Sequence, residues 1–384
     1  MKKVLHISNT DISSDSRILK EINSLSTYLN TEVTVIGVPD NSNFSDISLP
    51  NVNYEKISLL ARHLVFLPRS IRYFFEMFEF TIKALIYAFR YNPNVIHSHD
   101  TFSLPAGWIS KKIKYSYLIY DAHELESDKN GQNFFLSKAT LLIERICWSN
   151  IDLLITVSEE IREWYLDNFS PINSIVVLNS PVIESSSHNE GISISSKNYF
   201  SDKYNLSLNS NIFIYLGYFS KGRGINICLE AFSKSSSNNH IIFIGSGDLE
   251  SIISDYSLRF SNIHIHPAVS HNAVVNMVQN AHWGICFLEN VSLSDYYSLP
   301  NKIFEYSFAG LNIIASNFPS MKNMIEKYSL GLTCNPDLNS LNQLLLNIDH
   351  YIKVDKPVDL YELSWGFQEG ILIKDYNEFN IEIK

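Results

Sequence analysis

The sequence predicts an α/β protein with two consecutive units of alternating strands and helices. A βαβ pattern opens the chain over residues 3–38, where two short apolar runs flank a segment with helical spacing. The pattern restarts at residue 211, after a Ser-rich stretch at residues 185–197 that has the composition of a linker. A chain of 384 residues is long enough for two domains, each with its own core.

Composition indicates a globular protein and argues against a general nucleic-acid binder. Hydrophobic residues make up 45% of the chain and charged residues 18%, and the formal net charge is -10. Residues 51–120 differ, because nine Lys and Arg against four acidic residues give this window a charge of +5. The four cysteines lie far apart in apolar surroundings, which predicts buried free thiols in a reducing compartment.

The sequence shows neither a secretory signal nor a membrane span. Residues 1–8 enter a strand pattern directly, without the apolar core of a signal peptide. No uninterrupted apolar run reaches the length needed to cross a bilayer. We therefore expect a cytoplasmic protein.

The first loop, residues 9–16, follows a short apolar strand and precedes a helix. A right-handed crossover places it at the carboxyl end of the strand, where open α/β sheets bind ligands. It lacks G-x-G-x-x-G, which argues against dinucleotide binding of the dehydrogenase type. This segment carries Asp11, Asp15 and, at its border with the helix, Arg17. A ligand-facing loop and a solvated helix cap both fit these residues.

Two later strands end in polar clusters. One strand ends in the run His97 to Asp100, and a second, at residues 117–120, continues into the run Asp121 to Glu124. A single histidine in such a place is more often structural. Two clusters at successive strand ends favour a ligand-binding edge, because parallel strands end at the same edge of a sheet.

Residues 68–91 have a wide apolar helical face with basic residues beside it. The apolar positions are Ile71, Phe74, Phe75, Phe78, Ile82, Leu85, Ile86 and Phe89. The basic residues are Arg69, Arg72, Lys83 and Arg90. One interpretation is an amphipathic helix that packs on the core of a βαβ unit. The other is a helix that also contacts an anionic membrane surface.

A glycine-rich basic loop, residues 217–224, lies between a predicted strand and a predicted helix. Its backbone N–H groups, together with Lys221 and Arg223, suit a diphosphate. The alternative is an ordinary loop with charges on the surface.

Residues 299–315 predict a loop, a short helix, a turn and a buried strand. Pro300 fits the first helical turn, and Gly310 fits the position just past the helix end. Asn301, Lys302 and Glu305 lie at the helix N-terminus, whose free N–H groups and dipole favour phosphate. A carboxylate one turn further in is able to accept hydrogen bonds from paired sugar hydroxyls. These residues indicate a nucleotide-sugar site, with a solvated helix start as the alternative.

This last stretch resembles the donor-binding motif of GT-B glycosyltransferases, specifically of the retaining family 4 type. In that family two Glu stand eight residues apart, and the second holds the donor ribose. Glu305 matches the second position, whereas Tyr297 occupies the first. In the glycine-rich loop, Tyr218 stands where the family has Arg, and Arg223 stands where it has Lys. Lys221 offers a compensating cation.

The resemblance covers nearly the whole chain and implies two Rossmann-like domains that face a central cleft. The acceptor domain is expected over residues 1–184 and the donor domain over residues 198–365. A C-terminal helix, residues 366–384, is expected to cross back to the first domain.

The same resemblance implies three groups of site residues. His123 and Glu305 are the catalytic pair, with His123 at the donor sugar and Glu305 at the ribose. Arg223 and Lys302 are expected to bind the diphosphate, and Val269 to lie near the nucleobase. The other donor-binding residues are Gly217, Lys221 and Asn301. The acceptor side comprises Asp15, Arg17, His99 and Asp100.

The activity implied is retaining hexosyl transfer from a nucleotide-diphosphate sugar, with a UDP-sugar favoured. The acceptor is a glycan or a lipid-linked molecule in cell-surface polysaccharide synthesis. Retention without an enzymic nucleophile implies front-face substitution, in which cations stabilise the leaving diphosphate. No acidic cluster has metal-ligand spacing, so we expect neither a metal nor a cofactor. Two other classes stay open: a sugar-nucleotide epimerase of the same fold, and a non-catalytic assembly subunit whose donor site has degenerated at Tyr218 and Tyr297.

Overall fold

The chain divides into two compact units, which we call the first and second domains. The first is Met1–Asn179 together with Gly366–Lys384, and the second is Ser180–Trp365. The computed structural model describes residues 2–29, 31–39, 49–182, 198–269, 271–351 and 359–378. The stretch with linker composition, residues 185–197, lies outside the described residues.

The first domain is built on a parallel sheet whose strand order reverses once. Its described strands are β1 (Lys2–Ile7), β2 (Thr31–Gly37), β3 (Val52–Lys56), β4 (Val95–His99), β5 (Tyr117–Ala122), β6 (Leu153–Thr156) and β7 (Ser174–Val176). They lie in the order β3-β2-β1-β4-β5-β6-β7, so the direction of winding changes between β1 and β4. Ligands of open α/β sheets bind beside such a reversal, at the carboxyl ends of the strands.

Helices cover this sheet. They are α1 (Ser16–Tyr28), α2 (Arg69–Tyr91), α3 (Asp100–Lys114), α4 (Phe134–Cys147) and α5 (Glu159–Asn168). Ser158 caps α5, since its hydroxyl accepts the Ile161 N–H over 3.3 Å. Helix α3 contains Pro105, follows β4 directly and is not among the predicted elements.

Helix α2 presents its wide apolar face to solvent rather than to the core. Its buried residues are Phe80, Thr81, Ala84 and Ala88. The apolar side chains that are 43–59% exposed are Ile71, Phe74, Phe75, Phe78, Ile82, Ile86 and Phe89. The interpretation of this face as core-packing is therefore wrong, because the helix packs through a strip that includes two alanines. Within the described ranges, no helix is both long enough and apolar enough to cross a bilayer.

The second domain repeats the parallel α/β design. Its described strands are β8 (Asn211–Tyr218), β9 (Asn239–Ser246), β10 (Ile263–His266), β11 (Trp283–Cys286), β12 (Asn312–Ser316) and β13 (Gly331–Cys334). Its described helices are α6 (Tyr199–Tyr204), α7 (Ile225–Lys234), α8 (Glu250–Arg259), α9 (His271–Val278), α10 (Leu293–Tyr297), α11 (Asn301–Phe308), α12 (Pro319–Lys327) and α13 (Leu338–Leu346). The strand order β10-β9-β8-β11-β12-β13 reverses beside β8, which places the loop after β8 at the ligand-binding edge of this sheet.

The last helix, α14 (Trp365–Glu378), follows the second domain in sequence, yet from Gly366 onward it belongs to the first. The hydroxyl of its buried Tyr376 is hydrogen-bonded to His97 Nδ1 over 2.7 Å. The last part of the predicted C-terminal helix, residues 379–384, lies outside the described residues. A helix made last thus contacts a strand made early.

Candidate functional site

Three neighbouring strands bring titratable side chains together at the carboxyl edge of the first sheet. In the sheet register, His6 on β1 lies beside His97 on β4, and His99 lies beside Asp121 on β5. The rings of these three histidines stack with centroid separations of 4.4–5.2 Å. Together with His123, they form what we call the histidine cluster. His6 was not predicted, although it is the residue before the last in β1 and so lies near the same edge as His99, which ends β4.

Arg17 anchors this edge from α1. Its Nε and Nη2 donate to the two carboxylate oxygens of Asp121 over 3.0 and 2.8 Å, and its Nη1 donates to the Val177 carbonyl over 2.8 Å. Burial opposes ionisation of Asp121, but Arg17 and His123 hold its pKa well below the usual value. Arg17 is only 2% exposed. We therefore interpret Arg17 as a residue that positions Asp121, rather than one that contacts an acceptor directly as predicted.

Hydrogen bonds join three members of the histidine cluster into a chain that ends at His123. One joins His6 Nδ1 and His99 Nε2 over 2.9 Å, and the next joins His99 Nδ1 and His123 Nε2 over 3.1 Å. His123 Nε2 also lies 3.1 Å from Asp121 Oδ2. His6 and His99 are fully buried, whereas His123 is 17% exposed. A ligand is therefore able to reach this chain at His123.

His123 carries the positive charge of the histidine cluster at neutral pH. Burial opposes that charge, but Asp100 and Asp121 outweigh it and raise the pKa of His123 to about 10. Burial lowers the pKa of the other three histidines, that of His97 to about 3. A charged His123 donates from Nε2 to Asp121 and His99, so His99 is the tautomer protonated on Nε2. The site thus presents an imidazolium whose position is fixed by buried groups.

Asp100 is the acidic neighbour of His123. It has φ of +59°, a left-handed conformation that costs free energy in a residue with a side chain. The His123 N–H donates to Asp100 Oδ1 over 3.3 Å, and His123 Nδ1 lies 3.8 Å from that oxygen. Although burial opposes ionisation, His123 lowers the pKa of Asp100. Backbone strain beside two perturbed titratable groups is typical of a functional site.

A polar pocket of about 340 Å³ opens beside Asp100. Lys129 Nζ and Glu126 Oε1 lie 2.5 Å apart in its wall, and Glu126 Oε2 accepts the Thr101 N–H over 3.2 Å. Other lining residues are Asn9, Arg69, Ser70, Tyr73, Asn130, Asn133 and Leu136. Glu126 and Lys129 were not predicted, because the loop after β5 has no motif or periodicity that distinguishes its residues. The pocket is polar and charged, which suits a hydroxyl-rich or anionic ligand.

The residues predicted on the acceptor side lie at different depths. Asp100 lines the polar pocket, whereas His99 is fully buried behind His123. Asp15 caps α1, since its carboxylate accepts the Ile18 N–H over 3.2 Å and the Thr10 hydroxyl over 3.3 Å. Strand ends can be read from the sequence, but the depth of each side chain depends on the packing around it.

In the second domain, the glycine-rich loop at residues 217–224 leads from β8 to α7. Gly217, Gly222 and Gly224 have φ values of +117°, +80° and +69°, which side-chain-bearing residues rarely adopt. A Cβ atom at Gly224 would lie 2.5 Å from the Cβ of Phe287. The loop therefore packs closely on the chain that follows β11, and a larger residue would displace it.

Lys302 extends from the start of α11 towards this loop. Its ammonium lies 4.1 Å from the centroid of the Tyr215 ring, and a Cβ atom at Gly217 would lie 3.9 Å from its Nζ. Burial lowers the pKa of Lys302, and nearby Arg223 adds to the decrease. Glu305 acts in the opposite direction and raises this pKa. A desolvated ammonium beside a second cation gains strongly from a bound anion.

Arg223 has a carboxylate partner within the domain. Its Nη1 lies 3.5 Å from Asp295 Oδ1 on α10, and the buried Asp295 also accepts the Ser292 hydroxyl over 2.9 Å. Lys221, on the same loop, is exposed. Asp295 was not predicted, because the motif points to Tyr297 two residues later. The contact indicates that Asp295 orients Arg223 at the rim of the loop.

The remaining donor-side residues lie close to α11 or follow β10. Asn301 is the exposed first residue of α11, and Glu305 is half-buried one turn further in. Pro300 caps this helix from outside rather than lying in its first turn, while Gly310 follows its end with φ of +76°. Val269 is half-buried after β10.

Two groups of described side chains lie close enough together to hold a metal ion. One is His6, Glu21, His97 and His99, and the other is His99, Asp121 and His123. This proximity could not be predicted from the sequence, since the members come from separate elements. Arg17 Nε lies 3.1 Å from Glu21 Oε1, and the His123 imidazolium belongs to the second group. Because these positive charges repel a further cation, we interpret the first group as one held by the ion pair of Arg17 with Glu21, and the second as a hydrogen-bonded network.

Residues 196–355 match the model of a family described as Glycosyl transferases group 1. The matched segment contains the glycine-rich loop, Asp295 and the whole of α11. In a comparison of complete sequences, no curated protein matches this chain.

Solved structures that resemble the chain over nearly its whole length share its fold. Sucrose-phosphate synthase from Thermosynechococcus elongatus superposes with a TM-score of 0.77 at 15% identity, covering 98% of this chain and 99% of that one. Anabaena HepE in complex with UDP and glucose gives 0.72 at 12% identity, covering 98% and 100%. A glycosyltransferase from Rickettsia africae gives 0.66 at 13% identity, covering 99% of each chain. The chain therefore has the GT-B fold of two Rossmann-like domains, and its second domain contains the segment matched by Glycosyl transferases group 1.

Proposed function

We propose that this protein is a glycosyltransferase that transfers a hexose from a UDP-sugar. The observation that carries the proposal is the convergence of the glycine-rich loop, Arg223 and Lys302 within the segment that matches Glycosyl transferases group 1. Structures of the similar protein HepE contain UDP or UDP-glucose, which supports a uridine nucleotide as the donor.

In the proposed donor complex, the diphosphate lies against the backbone N–H groups of the glycine-rich loop. Arg223 and Lys302 neutralise it, and Lys221 adds a cation at the exposed side. The start of α11 contributes its N–H groups and dipole at Asn301. Glu305 accepts hydrogen bonds from the ribose hydroxyls, while Val269 lies near the uracil ring. These assignments give each motif residue one part of the nucleotide.

We assign His123 to the transferred sugar and propose that the reaction proceeds with retention by front-face substitution. An imidazolium at this position stabilises the negative charge that develops as the diphosphate leaves. At the diphosphate, Arg223 and Lys302 supply the positive charge that a divalent metal supplies in other transferases. We therefore propose a reaction that needs no metal.

We propose that the acceptor is a glycan or lipid-linked molecule in cell-surface polysaccharide synthesis, bound by the first domain beside Asp100. We further propose that the enzyme works in the cytoplasm at the inner face of the membrane, held there by α2. Its exposed apolar face provides hydrophobic contact with lipid. Arg69, Arg72 and Arg90 add attraction to anionic head groups.

The test is incubation with UDP-hexoses labelled in the sugar, with and without a membrane lipid extract. Transfer of label to lipid or glycan, with the anomeric configuration of the donor retained by NMR, is the expected result. Release of an epimerised UDP-sugar without an acceptor would instead identify an epimerase. Binding of UDP without turnover of any donor would identify a non-catalytic subunit, and absence of nucleotide binding would refute the donor site itself.

A further inference from the structure

An apolar groove lies between α2 and α4 in the first domain. Its volume is about 380 Å³. Its walls are Ile71, Phe74 and Phe75 on α2, and Phe135, Ala139 and Ile143 on α4. The hydroxyls of Thr101 and Thr140 are minor polar contributions to a lining that is otherwise largely apolar. Such a groove takes a hydrocarbon ligand rather than a sugar.

The groove opens on a surface that is itself apolar. Phe135 is 79% exposed, and Phe74 and Phe134 are exposed beside it. The apolar face of α2 continues this surface through Phe78 and Ile82. A contiguous apolar surface of this kind marks an interaction site in a folded protein.

The groove borders the polar pocket. The residues that line both are Ser70, Tyr73 and Leu136. Asn133 Nδ2 donates to Ser70 Oγ over 2.9 Å, which ties the start of α4 to the start of α2 at this junction. Asp100 lines the polar pocket and contacts His123. The apolar groove therefore lies next to the pocket that contains the accessible acid of the candidate site.

Charge and size agree with one class of occupant. Arg69, the first residue of α2, is exposed and lines the polar pocket next to Ser70, so it is placed to pair with an anionic group at the junction. Lys129 lines the same pocket, although it also pairs with Glu126. Since an apolar cavity of about 150 Å³ holds a benzene ring, a groove of about 380 Å³ holds on the order of fifteen carbons.

We propose that the acceptor is a lipid phosphate, with its hydrocarbon chain in the groove between α2 and α4. Its phosphate-containing head group lies at Arg69 and extends into the polar pocket towards Asp100. This inference rests on the proposed function, because it names the acceptor class for the same site. A protein partner would cover the exposed face of α2 but would leave the neighbouring polar pocket beside Asp100 unused, whereas a lipid phosphate occupies both.

The test uses farnesyl phosphate and isopentenyl phosphate as probes, each below its micelle-forming concentration, in calorimetric titrations with the full chain. We expect farnesyl phosphate to bind at least tenfold more tightly, because only its longer chain fills the groove. Ala139→Trp should bring the ratio of the two affinities close to one, and Phe75→Ser should lower it. Leu142→Trp, on the same helix but outside the groove lining, is the matched control and should keep the wild-type ratio. Thermal melting of each variant checks that the fold is retained.

Arg69→Gln should weaken both probes several-fold and leave their ratio unchanged, since it removes the phosphate partner only. Equal affinities in the wild type, or a ratio that survives both Ala139→Trp and Phe75→Ser, would overturn the proposal. UDP binding is measured in parallel. The two measurements separate the lipid-site proposal from the proposed function. UDP binding without farnesyl selectivity rejects the lipid site alone. Farnesyl selectivity without UDP binding rejects the transferase while keeping the lipid site.

Discussion

The charge on His123 predicts how the stability of the first domain depends on pH. Its pKa is about 10 in the folded protein, because Asp100 and Asp121 outweigh the effect of burial. In an unfolded chain, the pKa of histidine is about 6.5. The folded state therefore binds this proton more tightly. The resulting stabilisation is complete below pH of about 6.5 and is lost as the pH rises through about 10.

The size of the effect follows from the two pKa values. Linkage gives a contribution of about 4.6 kcal/mol at pH 6 and about 1.4 kcal/mol at pH 9. Wild type should therefore lose about 3 kcal/mol of unfolding free energy between these pH values through this residue alone. His123→Gln keeps a polar side chain of similar reach but has no proton to release. Its stability should lack this part of the pH dependence.

The assay is urea unfolding at pH 6 and pH 9, followed by circular dichroism. Burial raises the pKa of Glu21 to about 8, so this residue titrates in the same range. A second pair of proteins, both carrying Glu21→Gln, removes that contribution and isolates the effect of His123. If the free-energy difference between wild type and His123→Gln were the same at both pH values, a charged His123 would be refuted.

Four further predictions concern binding and activity. Lys302→Met should weaken UDP binding about ten- to a hundredfold in calorimetry, since charge-assisted hydrogen bonds contribute about 1.5–3 kcal/mol, and Lys322→Met on the exposed side of α12 should leave binding unchanged. Glu305→Gln should weaken UDP binding without changing Tm in the absence of ligand, and an unchanged affinity would refute the assignment of Glu305 to the ribose. Liposome flotation should show binding to anionic vesicles that decreases with salt and with Phe78→Ser; equal binding to neutral vesicles would show that the basic residues of α2 do not contribute to membrane binding. Transfer should persist in EDTA, whereas a loss restored by Mg²⁺ or Mn²⁺ would assign a metal to the reaction.

The strands near the candidate site could be predicted because their sequence signals are local. β1, β4 and β5 are short apolar runs that end in polar residues, and neighbouring strands of a parallel sheet end at one edge. The helix after Pro300 and its end at Gly310 also follow from local preferences, since a left-handed residue past a helix favours glycine.

Burial depth could not be predicted in the same way. Arg17 and His99 have the residue types of a binding site, but both are buried, because Asp121 and Val177 surround one and the histidine cluster surrounds the other. Helix α2 differs from its prediction in the opposite direction, since its apolar face is exposed rather than buried. Its periodicity identifies an apolar face but does not say what covers that face, and the strip containing Ala84 is the one that packs on the domain.

The position of α14 has a consequence for biosynthesis. Its Tyr376 contacts His97, so the first domain remains incomplete until the ribosome has also made Ser180–Trp365. At about 5–20 residues per second, that intervening segment takes roughly 10–40 s to synthesise. The second domain, whose residues are continuous, is able to finish folding before the first. We therefore expect the surface on which α14 packs to stay exposed in the nascent first domain until translation ends. This makes the first domain the part of the chain most in need of a chaperone during translation.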